Sequence, residues 1–507
     1  QGKAVQILRL NDDGSFELNE SALQDVLLNH RVKDKPVVVV SVAGACRQGK
    51  SFLLAFLLRF LKNRCQENWL DDLSVPLNGF EWRPGSKPHT TGILLWNEAF
   101  LVNTPQGEEV AVLLMDTQGS FDCKSTVKEC TTIFALSIMT SSVQVYNILR
   151  NIQEDHLQHL QFFSEYGRLA KEDTGNKPFQ RLVFLVRDWP FPYEADYGEE
   201  GGRTIIDERL EVTKEQHDDL QRLRRDLWSF FSSIDCFLMP APGKKVETKN
   251  SFNGCLKDVD DKFIQKVKEL VEWLLGPRNL VVKESNGQKV TCQEFINYFR
   301  VYARTFNAGT LPPPESVLQA TAKASNMAAV ERATIFYLES MDNMPRANLD
   351  GLRQAHAELL RKATDLFSKT PKFGGKSVSQ AYLETLTKDL LAHFDRLYKD
   401  AEQVVLREQE KEEQRERERE EERKREEERQ TERRMEREKE EEMEKDMHQL
   451  KKTESENQKK IEKLEQALSE TERAMNSRHH LEMAKGGLAL ATSVARVAND
   501  LVKILTR

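Results

Sequence analysis

Apolar and polar positions divide the chain into blocks of different period. "VVVVSVAG" (37–44) is apolar at almost every position, as a strand buried on both faces requires. "SFLLAFLLRFL" (51–61) follows it and reads as a buried helix. "VAVLLMD" (110–116) and "RLVFLVRD" (181–188) are two more buried strands, each ending in an aspartate, and "IDCFLMPAPG" (234–243) is the expected last strand of the sheet. "FNAGTLPPPES" (306–316) is a Pro/Gly linker in which Pro312, Pro313 and Pro314 cannot continue a helix, whereas Glu315 or Ser316 can begin one. Helical spacing then runs through "VLQATAKASNMAAVERATIFYLESM", 349–369 and 376–399, with "TPKFGGKS" (370–377) as a joint. Three helices with short joints predict a bundle.

The pattern then changes. From about 401 the sequence is Glu, Arg, Lys and Gln, strong helix formers whose mixed signs offer many i,i+4 pairs. Apolar seam positions are scarce until Met443, Met447 and Leu450, and Ile461, Leu464 and Leu468 then continue at heptad spacing. The expected element is a long solvated helix that becomes a weak coiled coil, about 110 Å long if helical from 400 to 475. A disordered charged spacer is the alternative. In "GGLALATSVARVANDLVKILTR" (486–507), Leu490, Val494, Val497, Leu501 and Ile504 share one helix face. That amphipathic face suits a membrane surface, or packing on the protein or on a partner helix.

Composition adds limits. The 507 residues suggest several domains, and 31% are charged. A net charge of −7 gives no global field for nucleic acid. Seven cysteines with no CxxC spacing argue against structural zinc and read as reduced intracellular thiols. No secretory leader is recognisable, and no stretch of 18 apolar residues demands a bilayer crossing.

The chemistry lies at the ends of the strands. "GACRQGKS" (44–51) stands between a strand and a helix, the context a phosphate-binding loop needs. Gly44 and Gly49 permit the tight backbone, and the residues through Phe52 supply amides toward phosphate oxygens. Lys50 is expected to reach the β and γ phosphates and Ser51 to ligate Mg²⁺. Asp116 and Gly119 form a DxxG, in which Asp116 holds Mg²⁺ through water and the Gly119 amide senses the γ phosphate, although Asp and Gly also favour ordinary turns. "PHTTGI" (88–93) offers Thr90 or Thr91 to complete the Mg²⁺ shell, with Thr90 preferred. His89 reads as a surface loop histidine. Asp188 can accept two hydrogen bonds from guanine, a donor pair that adenine lacks, or it can be a helix cap or turn residue.

Together these pieces resemble the atlastins, membrane-fusing GTPases of the dynamin superfamily, and more distantly the guanylate-binding proteins. "SVAGACRQGKSF", "PHTTGI", "LLMDTQGSFD", "VYNILRNIQEDHLQHLQFFSEYGRLA", "LVFLVRDWPFPYEADYG" and "LPPPESVLQATAKASNMAAV" carry the likeness, which covers about residues 5–400. It implies an α/β P-loop GTPase domain of the GB1/RHD3 type with a mixed, mostly parallel sheet, followed by a three-helix bundle and a long charged helix or coiled coil. The expected divisions are 1–305, a linker at 306–314, the bundle at 315–400, the charged segment at 401–480 and an amphipathic helix at 481–507.

The resemblance makes Arg187 and Asp188 the guanine motif. It also adds Arg47 and Gln48 to the nucleotide contacts, and gives Arg47, Lys50 and Thr90 catalytic roles. Ras-type enzymes place a water-orienting glutamine directly after the DxxG glycine. Here that position is Ser120, so another group must offset charge growing on the transferred phosphoryl. Arg47 can do so with its planar fork. In atlastin-like proteins this arginine turns onto the phosphates when two G domains meet head to head.

The implied activity is Mg²⁺-dependent GTP hydrolysis coupled to homodimerisation, driving tethering or remodelling of endoplasmic-reticulum-type membranes. The expected location is cytoplasmic or peripheral on that membrane, with higher oligomers through the coiled coil. One departure is plain: an atlastin continues into two membrane-spanning hairpin helices, where this chain has "EQEKEEQRERERE". A guanylate-binding-protein-like oligomerising scaffold without fusion activity is the second expectation.

Overall fold

A computed structural model describes residues 2–11, 13–45, 48–80, 92–117, 127–248, 252–307 and 311–475. Contacts divide the chain into one unit that ends at Gln403 and a second that begins at Val404.

The first unit is built on a nine-stranded sheet of β1 (Ala4–Leu10), β2 (Phe16–Leu18), β3 (Val37–Gly44), β4 (Ile93–Trp96), β5 (Phe100–Asn103), β6 (Glu109–Thr117), β7 (Val143–Leu149), β8 (Phe179–Arg187) and β9 (Phe231–Leu238). The order is β2-β1-β4-β6-β3-β7-β8-β9, with β5 also paired to β6. β6, β3, β7, β8 and β9 run parallel, and β1, β2, β4 and β5 pair antiparallel. The sheet is therefore mixed and mostly parallel, as expected.

The continuous apolar run of β3 has a direct cause. Val37 and Val39 enter the core on one face of the sheet, while Val38, Val40 and Val42 enter the core on the other. With side chains alternating at period two, a strand covered on both faces is apolar almost throughout, and its one polar residue, Ser41, is buried against the Ser137 hydroxyl at 2.7 Å. The faces are covered by helices α1 (Glu20–Leu27), α2 (Lys50–Lys62), α3 (Val127–Thr140), α4 (Glu154–Gln158), α5 (Gln161–Thr174), α6 (Glu199–Arg209), α7 (Asp218–Phe230), α8 (Lys244–Thr248), α9 (Asp261–Leu275) and α10 (Cys292–Phe306). α2 and α9 pack together in one core, and α3, α5 and α10 contribute to the other. A short hairpin of β10 (Glu284–Ser285) and β11 (Gln288–Lys289) precedes α10.

Three helices follow: α11 (Pro314–Asp342), α12 (Leu349–Lys369) and α13 (Gly375–Met475). Pro314 is the first residue of α11, one position earlier than the sequence suggests, because proline at that position loses no intrahelical hydrogen bond. α11 belongs to two cores. Val317, Ala320, Ala324 and Ala328 pack with the sheet domain, whereas Ala329, Ala333, Tyr337 and Met341 pack with α12 and the first turns of α13. Leu386, Leu390, Phe394, Leu397 and Ala401 form the bundle stripe of α13. No break separates that stripe from the charged segment, because α13 is one helix of 101 residues. The amphipathic stretch 481–507 lies outside the described residues.

Candidate active site

β3 lies between β6 and β7, and its carboxyl end is where chain connections diverge to the two halves of the sheet. Open α/β sheets bind ligands at that switch point. Gly44 ends β3 with φ 149°, and a Cβ there would collide with the Asn147 carbonyl oxygen of β7. Gly49 caps α2 in the left-handed region, φ 72°, and a Cβ there would meet Nη1 of Arg187. Both glycines are thus needed for the loop to lie against the sheet edge.

Lys50 opens α2 and is 7% exposed. Its Nζ arches back over the loop and donates to the Ala45 carbonyl at 3.0 Å. Ser51, the next residue, donates from Oγ to Oδ2 of Asp116 at 2.5 Å. Asp116 sits near the end of β6, level with Val42 of β3, and is almost fully buried. The fold therefore brings together a hydroxyl and a carboxylate that are 65 residues apart in sequence.

The loop is also tied to β7 and β8. The Gln48 carbonyl accepts from Nδ2 of Asn147 at 2.8 Å and from Nη1 of Arg187. The Gln48 side-chain oxygen is buried without a hydrogen-bond partner among the described residues. Asp188 follows β8 with φ 54°, and its Oδ1 is buried, 3.9 Å from Nη2 of Arg187, without a hydrogen bond among the described residues. A carboxylate in that state suits a ligand with paired N–H donors. Phe52 turns its ring into an aromatic cluster with Phe56, Phe252 and Phe263, which leaves its amide as the part able to face a phosphate.

Asn147 was not among the residues picked out by motif. Its register opposite Gly44 in the parallel β3–β7 pair is what places it at the loop, and pairing register is not written in a linear motif. Arg47, Thr90 and Gly119 lie outside the described residues, as do His89 and Thr91.

Two family comparisons bear on this geometry. Residues 13–284 match the guanylate-binding protein N-terminal domain, and residues 286–405 match its C-terminal domain. Atlastin-1 of Macaca fascicularis is 49% identical over 399 residues, spanning 78% of this chain and 71% of that protein. The chain belongs to the atlastin and guanylate-binding-protein family of GTPases. Human atlastin-2 and atlastin-3 are 49% and 48% identical over 389 and 406 residues, covering 76% and 78% of this chain and 67% and 75% of their own lengths.

Membership in this family supports GTP hydrolysis by the chain and implies Mg²⁺–GTP use. The donor set fits that ion, since hydroxyl and carboxylate oxygens are the ligands Mg²⁺ prefers and the nucleotide supplies the rest. Among the described residues no group of three His, Cys, Asp or Glu side chains gathers to hold a metal alone. Among them, too, no helix is long and apolar enough to cross a membrane. The C-terminal domain match ends at residue 405, and the charged part of α13 continues beyond it.

Proposed function

We propose that this GTPase couples hydrolysis to pairing of its G domains, and that the pairing drives tethering or remodelling of endoplasmic-reticulum-type membranes. The observation that carries the reading is the Ser51–Asp116 contact beside Lys50, at the glycine loop of a chain so similar to atlastins over its first 400 residues.

In this reading Lys50 exchanges its hold on the Ala45 carbonyl for the β and γ phosphates. Amides from Gly44 to Phe52 surround the phosphates. Ser51, Thr90 and, through water, Asp116 would hold Mg²⁺, which would supply charge neutralisation at the phosphates. Gly119 reads the γ phosphate. Asp188 accepts the two guanine donors while Arg187 fixes the loop through the Gln48 carbonyl. An ATP-like base would leave the Asp188 carboxylate unpaired, which disfavours it by about 1–3 kcal/mol.

Arg47 is the late-acting cation. It stabilises the charge that develops during transfer, once a second G domain has closed the site. The partners are GTP, a second copy through the G domains and, as a further contact, the distal part of α13. The family relationship supports an endoplasmic-reticulum membrane periphery as the place of action, and residues 486–507 are the candidate lipid contact.

Arg47→Ala tests the coupling. The variant is expected to keep its affinity for a GTP analogue while losing stimulated turnover and the dimer formed with a transition-state mimic. Unchanged turnover would show that the arginine does not act in this way. Liposome flotation with and without residues 486–507 tests the membrane step: floating only with the tail present supports it, and failure to float in every nucleotide state supports the unanchored scaffold.

A further inference from the structure

α13 beyond Gln403 changes character half-way. From Arg407 to Arg434 no apolar residue occurs, about 42 Å of helix. Several of the charges there pair with one another within the helix. Glu412 pairs with Arg415, Glu413 with Arg417, Glu420 with Lys424, Glu421 with Arg425, and Arg434 with Glu438. A single helix with such i,i+3 and i,i+4 pairs needs no partner.

The second half is built otherwise. Met443, Met447, Leu450, Ile461 and Leu464 are 36–66% exposed. With Met447 and Ile461 at position a, Met443, Leu450 and Leu464 fall at d, and one register holds for all five. The charged residues that flank this seam are Lys439, Asp446 and Lys460 at g, with Glu444, Lys451 and Glu465 at e. None of the six makes an ion pair with another described residue.

Their pattern is directional. In a parallel, in-register pair each g residue faces the e residue five positions later on the other helix. Lys439 then meets Glu444, Asp446 meets Lys451, and Lys460 meets Glu465, each of opposite sign. Ile461 at a with Leu464 at d favours two strands. Asn457 at d faces its own copy only when the two helices are in register, so each side-chain amide finds a partner, while a shift by one heptad would set it against Leu450 or Leu464. Glu440 and Glu454 at a face their own copies as well, which costs stability, and Lys451, one turn before Glu454, partly offsets the second.

We infer that residues 439–465 of α13 pair in parallel and in register with the same segment of a second copy of this chain, while 407–434 is a self-sufficient helical spacer. This gives orientation and register to the coiled-coil contact of the reading above. It needs no nucleotide, whereas the G-domain pairing does. Three polar layers, Glu440, Glu454 and Asn457, keep the pairing weak. It therefore acts as a tether that raises the effective concentration of one G domain for the other.

The test uses the full-length chain without nucleotide. Sedimentation equilibrium is expected to show a reversible monomer–dimer equilibrium. Glu465→Lys, which turns an attraction into a repulsion at two symmetric contacts, weakens dimerisation on the order of tenfold. The double variant Lys460→Glu with Glu465→Lys recovers most of that loss, because it restores opposite signs between chains. Under mild oxidation, Leu450→Cys cross-links to itself, and Gln449→Cys, at c outside the seam, does not. All these side chains are exposed, so folding of the GTPase domain is not at stake, and GTP turnover of dilute protein serves as the check. A monomeric wild type, a double variant no better than the single one, or equal cross-linking at the two cysteines would each overturn the inference. Failure of G-domain pairing would appear separately, as no larger species on adding a GTP transition-state mimic.

Discussion

Lys283 is a cation that the nucleotide site does not use. It lies between the G-domain strands and the β10–β11 hairpin, with its amide donating to the Val37 carbonyl and its Nζ to the Ser141 carbonyl at 3.0 Å. Burial pulls its ammonium from 10.5 down to about 7. The sign of the pH effect follows. Between about 7 and 10.5 the unfolded chain holds this proton and the folded one does not, so this group makes stability rise with pH across that window. Below about 7 the folded state must keep a buried charge, and the full penalty stands. Lys283→Met removes the term. Its stability relative to wild type in urea unfolding is expected to fall by roughly 2 kcal/mol between pH 7 and pH 9. Equal pH slopes for the two proteins would mean that the lysine is charged in the fold throughout. This residue was invisible to motif reading, because its significance comes from where the chain returns to the sheet. Lys50, Ser51 and Asp116, by contrast, were legible. A phosphate loop is a local backbone shape, so its glycines and its lysine stand at fixed spacing, and the carboxylate ends a strand that announces itself by hydrophobicity.

Elements were legible where one physical requirement dominated them. β3 was readable to the residue, since a strand covered on both faces leaves only one kind of pattern. β9 runs Phe231–Leu238 rather than 234–243, because Phe231 and Phe179 stack across β8 and β9 and begin the pairing earlier. β4 and β5 were not read from the sequence, since both are short and are set by antiparallel pairing with β6. The continuity of α13 was not foreseen as one element either. Sequence reading divides it where composition changes, yet glutamate, arginine and lysine continue a helix as readily as the leucines before them. The charged spacer carries its own prediction. Its ion pairs are exposed, so 1 M salt should screen them and lower the far-ultraviolet helix signal of the full chain relative to a variant lacking 407–434. No salt effect on that difference would mean that backbone propensity alone holds the spacer.

At the scale of the first unit, the bundle is not a free appendage of the GTPase domain. Tyr166 of α5 and Tyr302 of α10 share the Thr321 hydroxyl of α11 at 3.0 and 2.9 Å. Arg332 of α11 pairs with Glu294 of α10, which is nearly fully buried. The joint between α12 and α13 reaches the same surface. Phe373 is buried among residues of the G-domain core, its carbonyl accepts from Asn326 at 3.0 Å, its amide donates to Ser325, and the Gly374 amide donates to Asp173 of α5 at 2.8 Å. One aromatic side chain thus fastens the far end of the bundle to the nucleotide-hydrolysing domain. Phe373→Ala should remove about 3–5 kcal/mol of that attachment. The hydrogen bonds of the joint are then too few to hold it, since each adds only about 1 kcal/mol. Affinity for a GTP analogue should not change, because no described nucleotide-site residue touches the joint. With one fluorophore on the exposed surface of α7 and another on α12, the distance distribution of the nucleotide-free variant should broaden relative to wild type. An unchanged distribution would place the attachment in α11 alone, with Thr321 and Arg332 sufficient to hold the bundle. A broadened one, accompanied by lower turnover at equal nucleotide affinity, would show that the docked bundle helps the two G domains to meet in a productive pair.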